Sequence, residues 1–142
     1  MTAHGLPDTR PRSATLADLA RALDGARIVG DPTVVVRGIC YDSRLVRPGD
    51  LFAALPGRDF DGHDYIGPAV RGGAVAVLAE REPAHGVPGI VVDDARAALA
   101  RVAAAFYGHP SRELTLVGLT GTDGKTTTSY LLRDVLRAAG RR

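Results

Sequence analysis

The chain has 142 residues, of which 45% are hydrophobic and 24% charged, with a net charge of +2 at pH 7. This composition is typical of a soluble globular protein, no segment approaches the roughly eighteen apolar residues of a membrane span, and the small charge gives no argument for nucleic-acid binding. The single cysteine excludes an internal disulfide and, with no secretory signal in the polar amino terminus, predicts a cytoplasmic protein.

The first elements in chain order predict an α/β fold. Residues 1–14 are polar and proline-containing, which predicts a mobile tail. Thr15 is a suitable cap for a helix ended by Gly25, with one apolar face made by Leu16, Leu19, Ala20 and Leu23. Two β-rich segments follow, separated by a turn at residues 47–50, and they cover Val34 to Tyr41 and Leu51 to Leu55.

The next segments alternate between helix and strand. The pattern predicts a short helix over Tyr65 to Gly72 and buried strands over Ala74 to Ala79 and Gly89 to Val92. Either Asp93 or Asp94 could cap the alanine-rich helix that ends near Tyr107. Residues 108–112 are the best candidate for a linker.

A glycine-rich loop near the end of the chain carries the strongest chemical signal. The apolar run Leu114 to Leu119 predicts a strand, and apolar residues at helical spacing predict a helix over Ser129 to Ala139. Between them, loop amides and the positive end of the helix can attract a polyphosphate. Lys125 adds a charge for phosphate oxygens, Thr126 stands where such loops ligate Mg²⁺, and Thr127 adds a hydroxyl donor. Leu119 replaces the first glycine of the usual pattern.

Polar residues also follow two predicted strands. Asp42, Ser43 and Arg44 come after the first, and residues 57–64 come after the second. Loops at strand ends are where α/β proteins usually hold ligands, so Ser43 could meet a sugar or uracil while Arg44 and Arg58 meet a diphosphate. Two ordinary surface turns remain an alternative on chemistry alone.

Three blocks together resemble the beginning of a Mur ligase: YDSRLVRPGDLFAALPG, FDGHDYIGPAVRGGAVAVLAE and RVAAAFYGHPSRELTLVGLTGTDGKTTT. The resemblance runs from about Thr15 to the last residue and is greatest to the tripeptide-synthetase (MurE) branch. The MurF branch shares DSR, PGDLF and FDGHDY but more typically carries a TGS loop. Mur loops also lack the first Walker glycine, which accounts for Leu119.

The resemblance implies an α/β fold with a UDP-sugar-binding domain over residues 15–111 and the start of a central ATP-binding domain over residues 112–142. It implies an ATP- and Mg²⁺-dependent ligase of peptidoglycan synthesis, which adds meso-diaminopimelate or L-lysine to UDP-MurNAc-L-Ala-D-Glu. We expect a monomer without membrane insertion. We also expect that these 142 residues do not catalyse ligation alone, because the other sites expected of the family are not among them.

Matching motifs assign roles to individual residues. The ATP loop would comprise Gly121, Thr122, Asp123, Gly124, Lys125, Thr126 and Thr127, with Lys125 as the catalytic cation and Thr126 as the metal ligand. Substrate contacts would come from Tyr41, Ser43, Arg58, Asp59 and Phe60. Asp123 replaces the commoner asparagine, and His63 is interpreted as a turn or packing residue. A UDP-sugar-binding module without catalysis, a MurF-type ligase and a generic nucleotide-binding loop protein stay open as alternatives.

Overall fold

A computed structural model describes residues 13–58, 60–115 and 117–141. The chain forms two compact units, of which the first ends at Pro110 and the second begins at Ser111. None of the helices in the described ranges has the length and apolar character needed to cross a lipid bilayer.

The first unit alternates short strands and helices. Its described strands are β1 (Ala14–Thr15), β2 (Arg27–Val29), β3 (Val35–Val36), β4 (Gly38–Cys40), β5 (Asp50–Ala53), β6 (Ala76–Ala79) and β7 (Gly89–Val91). Its α-helices are α1 (Leu16–Ala20), α2 (Ile66–Arg71) and α3 (Ala95–Phe106), and short 3₁₀ turns cover Gly62–Tyr65 and Ala84–Gly86.

Five of these strands form one sheet in the order β2-β7-β6-β5-β4. The four strands from β4 to β7 are parallel, and β2 is added antiparallel to β7 at one edge. The parallel strands follow one another in chain order, so their carboxyl ends, and the loops that leave them, share one edge of the sheet.

Alternate side chains of the central strands fill two separate cores, as the two-residue period of a strand requires. Leu51 and Leu78 pack with helices α1 and α3 on one face. Phe52 and Val77 pack with α2 on the other. Phe52 is 1% exposed and Leu51, Leu78 and Val77 are 0% exposed, so β5 and β6 are buried on both faces. The result is a three-layer α/β arrangement, which confirms the predicted fold class.

Several predicted elements differ from the structure in their bounds. Ala14 pairs with Val36 and is not part of a tail; residues 1–12 of the predicted tail lie outside the described residues. Helix α1 has the predicted Thr15 cap, but it ends at Ala20 because the amides of Ala22 and Leu23 bond three residues back, in tight turns. The predicted helix from Tyr65 begins as a 3₁₀ turn at Gly62.

The predicted strand Val34 to Tyr41 is divided at Arg37. The part before Arg37 pairs with β1, and the part after it pairs with β5. Gly38 permits the change of partner because the Asp50 carboxylate occupies the space that a Cβ at position 38 would take. Strands β6 and β7 lie inside the predicted bounds. Strand β6 begins two residues later than predicted, at Ala76, and β7 ends one residue earlier, at Val91.

A 3₁₀ turn at Pro110–Arg112 crosses the boundary between the units, and the second unit contains helix α4 (Lys125–Ala138). The predicted strand Leu114 to Leu119 is wrong for its described residues, 114–115 and 117–119, which form no ladder. A strand is stable only when a neighbouring strand takes up its amide and carbonyl groups, and the sheet of the first unit ends at β2 and β4. The predicted helix after the loop is confirmed, and it begins at Lys125.

Candidate ligand-binding cleft

A cleft of about 450 Å³ lies at the carboxyl ends of β4 and β5. The segment after β4 forms one wall with residues 41–44, and the segment after β5 forms the other with Leu55, Phe60, Gly62 and Tyr65. Phe52 of β5 contributes to the floor. Open α/β sheets usually bind ligands in this position, because loops from adjacent strands converge there.

The first wall is a tight turn organised by Asp42. The Asp42 carboxylate accepts a hydrogen bond from the Arg44 amide at 3.0 Å, and its carbonyl accepts one from the Leu45 amide at 2.9 Å. The Cys40 thiol donates to the same carbonyl at 3.2 Å. These bonds satisfy the backbone of the turn locally, so Ser43 is held at the lip of the cleft by a fixed backbone.

The Arg44 side chain also donates hydrogen bonds to the Asp42 carboxylate. Its Nε and Nη2 atoms donate to the two carboxylate oxygens at 2.9 and 2.7 Å, the paired geometry that guanidinium and carboxylate groups favour. These side-chain hydrogen bonds, followed by the bond from the Arg44 amide, lower the pKa of Asp42 to about 2. Asp42 is therefore ionised at neutral pH, and the guanidinium beside the cleft is oriented.

The second wall is a closed loop between Pro56 and Asp61. The Gly57 amide donates to the Phe60 carbonyl at 2.9 Å, and the Gly62 amide donates to the Leu55 carbonyl at 3.0 Å. Gly62 lies so close to the preceding strand that an added Cβ would be 2.7 Å from the Ala54 carbonyl carbon. The base of the loop is thus fixed by backbone contacts that only glycine permits.

A charged cluster adjoins the base of this loop. Asp61 caps the 3₁₀ turn by accepting from the His63 amide at 2.9 Å, and its Oδ1 lies 2.6 Å from His63 Nδ1. Arg81, which follows β6, forms an ion pair with the other oxygen of Asp61. Hydrogen bonds from the His63 amide and ring, together with the positive charge of Arg81, lower the pKa of Asp61.

Aromatic side chains at the cleft are unusually open to solvent. Tyr41 is 70% exposed, Phe60 is 72% exposed and Tyr65 is 39% exposed. A flat ring held at the mouth of a cleft can stack on a planar heterocycle and bury its area when the ligand binds.

The structure brings together three of the predicted substrate residues, Tyr41, Ser43 and Phe60, around this one cleft. Arg58 is exposed on the loop but is not among the lining residues, and Asp59 lies outside the described residues. Phe52, Leu55 and Tyr65 also line the cleft, although they were predicted only as parts of a strand or helix. The position of Tyr65 just after the FDGHD block was the available signal, because loop residues between a strand and a helix commonly face the ligand edge.

The glycine loop forms a separate candidate site in the second unit. Gly124 has φ 74°, in the left-handed region, and lies at the amino end of α4. Apart from the adjacent residues and the helix backbone, no atom of the described part of the chain lies within 4 Å of a Cβ built on Gly124, so the loop has room beside the helix terminus. The Lys125 ammonium donates to the carbonyl of Gly121 and, at 3.1 Å, to that of Thr122.

This loop fits a polyphosphate by its donor set. The left-handed glycine leads into the helix amides, and the lysine and the Thr126 and Thr127 hydroxyls follow at once in the sequence. All residues from Gly121 to Thr127 are exposed. The Asp123 carboxylate is therefore in contact with solvent and is not buried in the loop.

The fold and the cleft define the class of protein: a mainly parallel α/β sheet with a candidate ligand cleft at its carboxyl edge, followed by a glycine-rich loop that leads into a helix. A family model described as the Mur ligase family, catalytic domain, matches residues 35–107, which include the whole cleft. The chain belongs to the Mur ligase family.

Individual relatives agree with this assignment. The chain is 50% identical over 145 residues to a UDP-N-acetylmuramoyl-L-alanyl-D-glutamate–2,6-diaminopimelate ligase of Streptomyces coelicolor, covering 98% of this chain and 28% of that one. A MurF structure from Acinetobacter baumannii is 31% identical with a TM-score of 0.73 and covers 90% of this chain and 28% of its own. MurF from Thermotoga maritima in complex with ADP is 37% identical with a TM-score of 0.60, over 72% and 24% of the two chains. The chain therefore spans 24–28% of the length of these relatives.

Proposed function

We propose that this chain is the substrate-binding amino-terminal part of a cytoplasmic, Mg²⁺- and ATP-dependent ligase of peptidoglycan synthesis. The complete enzyme adds a diamino acid, meso-diaminopimelate or L-lysine, to UDP-MurNAc-L-Ala-D-Glu. In this proposal the cleft beside β4 and β5 binds the uridine diphosphate end of that substrate.

The observation that carries the proposal is the convergence of Tyr41, Ser43 and Phe60 on one cleft in a Mur ligase fold. The exposed rings of Tyr41 and Phe60 suit stacking on uracil, and Ser43 offers a hydroxyl to the base or ribose. Arg58 and Arg44 supply positive charge for a diphosphate near the same walls, although Arg44 must share its guanidinium with Asp42.

The glycine loop would hold the nucleotide triphosphate. The amides of residues 121–124 and the Thr127 hydroxyl suit the phosphates, Lys125 suits the charge of the terminal phosphate, and the Thr126 hydroxyl suits Mg²⁺. Mg²⁺-bound ATP would supply the phosphoryl group that activates the substrate carboxylate. Lys125 would exchange its bonds to the loop carbonyls for bonds to phosphate, which keeps a positive charge at the transferring group.

A MurF-type ligase is the second candidate, because MurF structures superimpose well on this chain. Sequence identity favours the diaminopimelate ligase, at 50% against 31% and 37% for the two MurF structures. Both candidates use a UDP-linked substrate, so the assignment of the cleft does not depend on the choice between them.

The cleft assignment is tested by calorimetric titration of UDP-MurNAc-L-Ala-D-Glu into the 142-residue chain and into Ser43→Ala. Loss of one hydrogen bond at the lip should weaken binding roughly five- to tenfold. Ser111→Ala is the matched control, since Ser111 is an exposed serine outside the cleft, and it should bind like the parent chain.

Equal affinity of the parent chain and Ser43→Ala would remove Ser43 from the site. Absence of any binding by the parent chain at millimolar ligand would remove the cleft assignment as a whole.

A further inference from the structure

The cluster formed by His63, Asp61 and Arg81 has no part in the cleft contacts, yet it adjoins the loop that forms one cleft wall. We infer that His63 is a positioning residue, which fixes Asp61 against the segment after β6 and thereby holds Phe60 in place for the ligand. This inference rests on the proposed function of the cleft.

Phe60 cannot hold its own position by packing. Its side chain is 72% exposed, so the placement of its ring depends on the backbone of the loop. That backbone is closed at the Phe60 carbonyl by the Gly57 amide, and Asp61, the next residue, forms a β-bridge with Pro56. Whatever fixes Asp61 therefore also fixes the direction in which Phe60 leaves the loop.

Asp61 is fixed through its carboxylate, and His63 provides two of the bonds. The His63 amide and Nδ1 both bond Oδ1, at 2.9 and 2.6 Å, while Arg81 pairs with Oδ2. A carboxylate with both oxygens bonded to groups on two different chain segments has little rotational freedom.

The second ring nitrogen of His63 continues the chain of bonds. Its Nε2 accepts from the Arg81 amide at 3.3 Å, so the ring joins the loop after β5 to the loop after β6. Both contacts are hydrogen bonds only when the proton is on Nδ1 and Nε2 is bare, which assigns the neutral Nδ1–H tautomer.

These contacts distinguish positioning from simple packing. The His63 side chain is 11% exposed, as a packing residue would be, but each of its nitrogens has a specific partner. An apolar ring of similar size would keep the packing and lose both bonds, whereas asparagine would keep a donor near the place of Nδ1. The two substitutions therefore separate the two roles.

The test uses the 142-residue chain with His63→Phe and His63→Asn, and uridine diphosphate as the probe. Amide hydrogen exchange of Gly57 and Gly62, measured by NMR, reports opening of the loop. We expect His63→Phe to raise exchange at both amides and to weaken uridine diphosphate binding roughly tenfold, with His63→Asn restoring part of both losses. Nitrogen-15 chemical shifts of the parent ring should show the Nδ1–H tautomer.

Thr15→Ala is the control for general loss of stability, because Thr15 caps α1 by accepting from the Asp18 amide, and no residue of β1 or α1 lines the cleft. It should lower the unfolding temperature and leave loop exchange and affinity unchanged.

Parent-like exchange at Gly57 and Gly62 in His63→Phe would overturn the inference, and so would raised exchange with unchanged affinity. If the parent chain binds no uridine diphosphate, the proposed function of the cleft fails and the claim that His63 positions a ligand-binding wall fails with it. The exchange data would then still decide whether His63 holds the loop.

Discussion

Asp42 shows how one side chain can shape a wall of the cleft through local hydrogen bonds. Its carboxylate accepts hydrogen bonds from the Arg44 amide and from Nε and Nη2 of the Arg44 side chain. Its carbonyl accepts one from the Leu45 amide. All of these bonds are local, within three residues, so the turn that presents Ser43 is specified by the DSR sequence itself.

The lowered pKa of Asp42 predicts an acid-dependent stability difference. The folded value of about 2 lies below the ordinary 3.8, so the ionised carboxylate stabilises the fold fully above about pH 4. That contribution is lost as the pH falls through about 2. Asp42→Asn should therefore unfold at a lower temperature than the parent chain at pH 7, with the gap closing between pH 4 and 2.

Circular dichroism melts across this range, with an NMR titration of the Asp42 carboxyl carbon, provide the measurement. In an Arg44→Ala background most of the gap should vanish, because Arg44 makes the hydrogen bonds that lower the pKa. If the unfolding temperatures of the parent chain and Asp42→Asn differed by the same amount from pH 7 to pH 2, the lowered pKa of Asp42 would not be the cause of the difference.

Some of the residues at the cleft could be predicted from the sequence. Tyr41, Ser43 and Phe60 follow neighbouring strands, and a parallel sheet brings such positions to one edge. Phe52 was not accessible in this way: its apolar strand pattern indicates a core position, and it is both 1% exposed and part of the cleft floor. Burial in the core and a place in the cleft floor overlap at Phe52, and sequence periodicity cannot separate them.

At the level of elements, helix α3 begins with two independent caps. The Asp94 carboxylate accepts from the Ala97 amide at 2.9 Å, and Glu80, which follows β6, accepts from the Ala95 amide at 3.0 Å. The first is local and the second joins the helix to the sheet edge, so the start of α3 is tied to the same edge that holds the cleft.

Asp94→Ala should lower the free energy of unfolding by about 1 kcal/mol, because the Ala97 amide loses its partner. Asp93→Ala is a closely matched control, since Asp93 is the neighbouring exposed carboxylate and the structure gives the cap to Asp94. Urea unfolding of the two variants measures the difference. Equal destabilisation by both would mean that charge near the helix terminus matters and the specific bond does not.

Elements with local signals were predicted better than elements that depend on distant partners. The Thr15 cap of α1 is confirmed, because Thr15 and Asp18 satisfy each other within four residues. Strand β2 was missed, since Arg27–Val29 is only three residues long and pairs with β7 about sixty residues away. Leu114 to Leu119 has strand-forming composition, but composition cannot supply a neighbouring strand.

For the whole molecule, the buried side chains are confined to the first unit. Every described side chain classed as buried lies between Leu16 and Phe106, and helix α4 buries none. Burial of apolar area is the main favourable term in folding, so the first unit carries the stability of the chain.

A chain ending at Pro110 should therefore keep the cooperative thermal transition and the cleft affinity of the 142-residue chain. A peptide of residues 111–142 should show little helix in water, because a 14-residue helix without a buried face is marginal. Parallel melts and titrations of the three chains make the comparison. An unfolding temperature more than a few degrees lower in the chain ending at Pro110 would contradict this prediction.

The walls of the cleft also come from one uninterrupted stretch, residues 41–65, around two strands that pair directly with each other. Only nine residues separate Cys40 from Asp50, so closing this segment has a small entropic cost compared with pairings that span the sheet. During synthesis the ribosome releases both walls before β6 and β7 emerge. The cleft can thus begin to assemble on a nascent chain, ahead of the strands that later bury its floor.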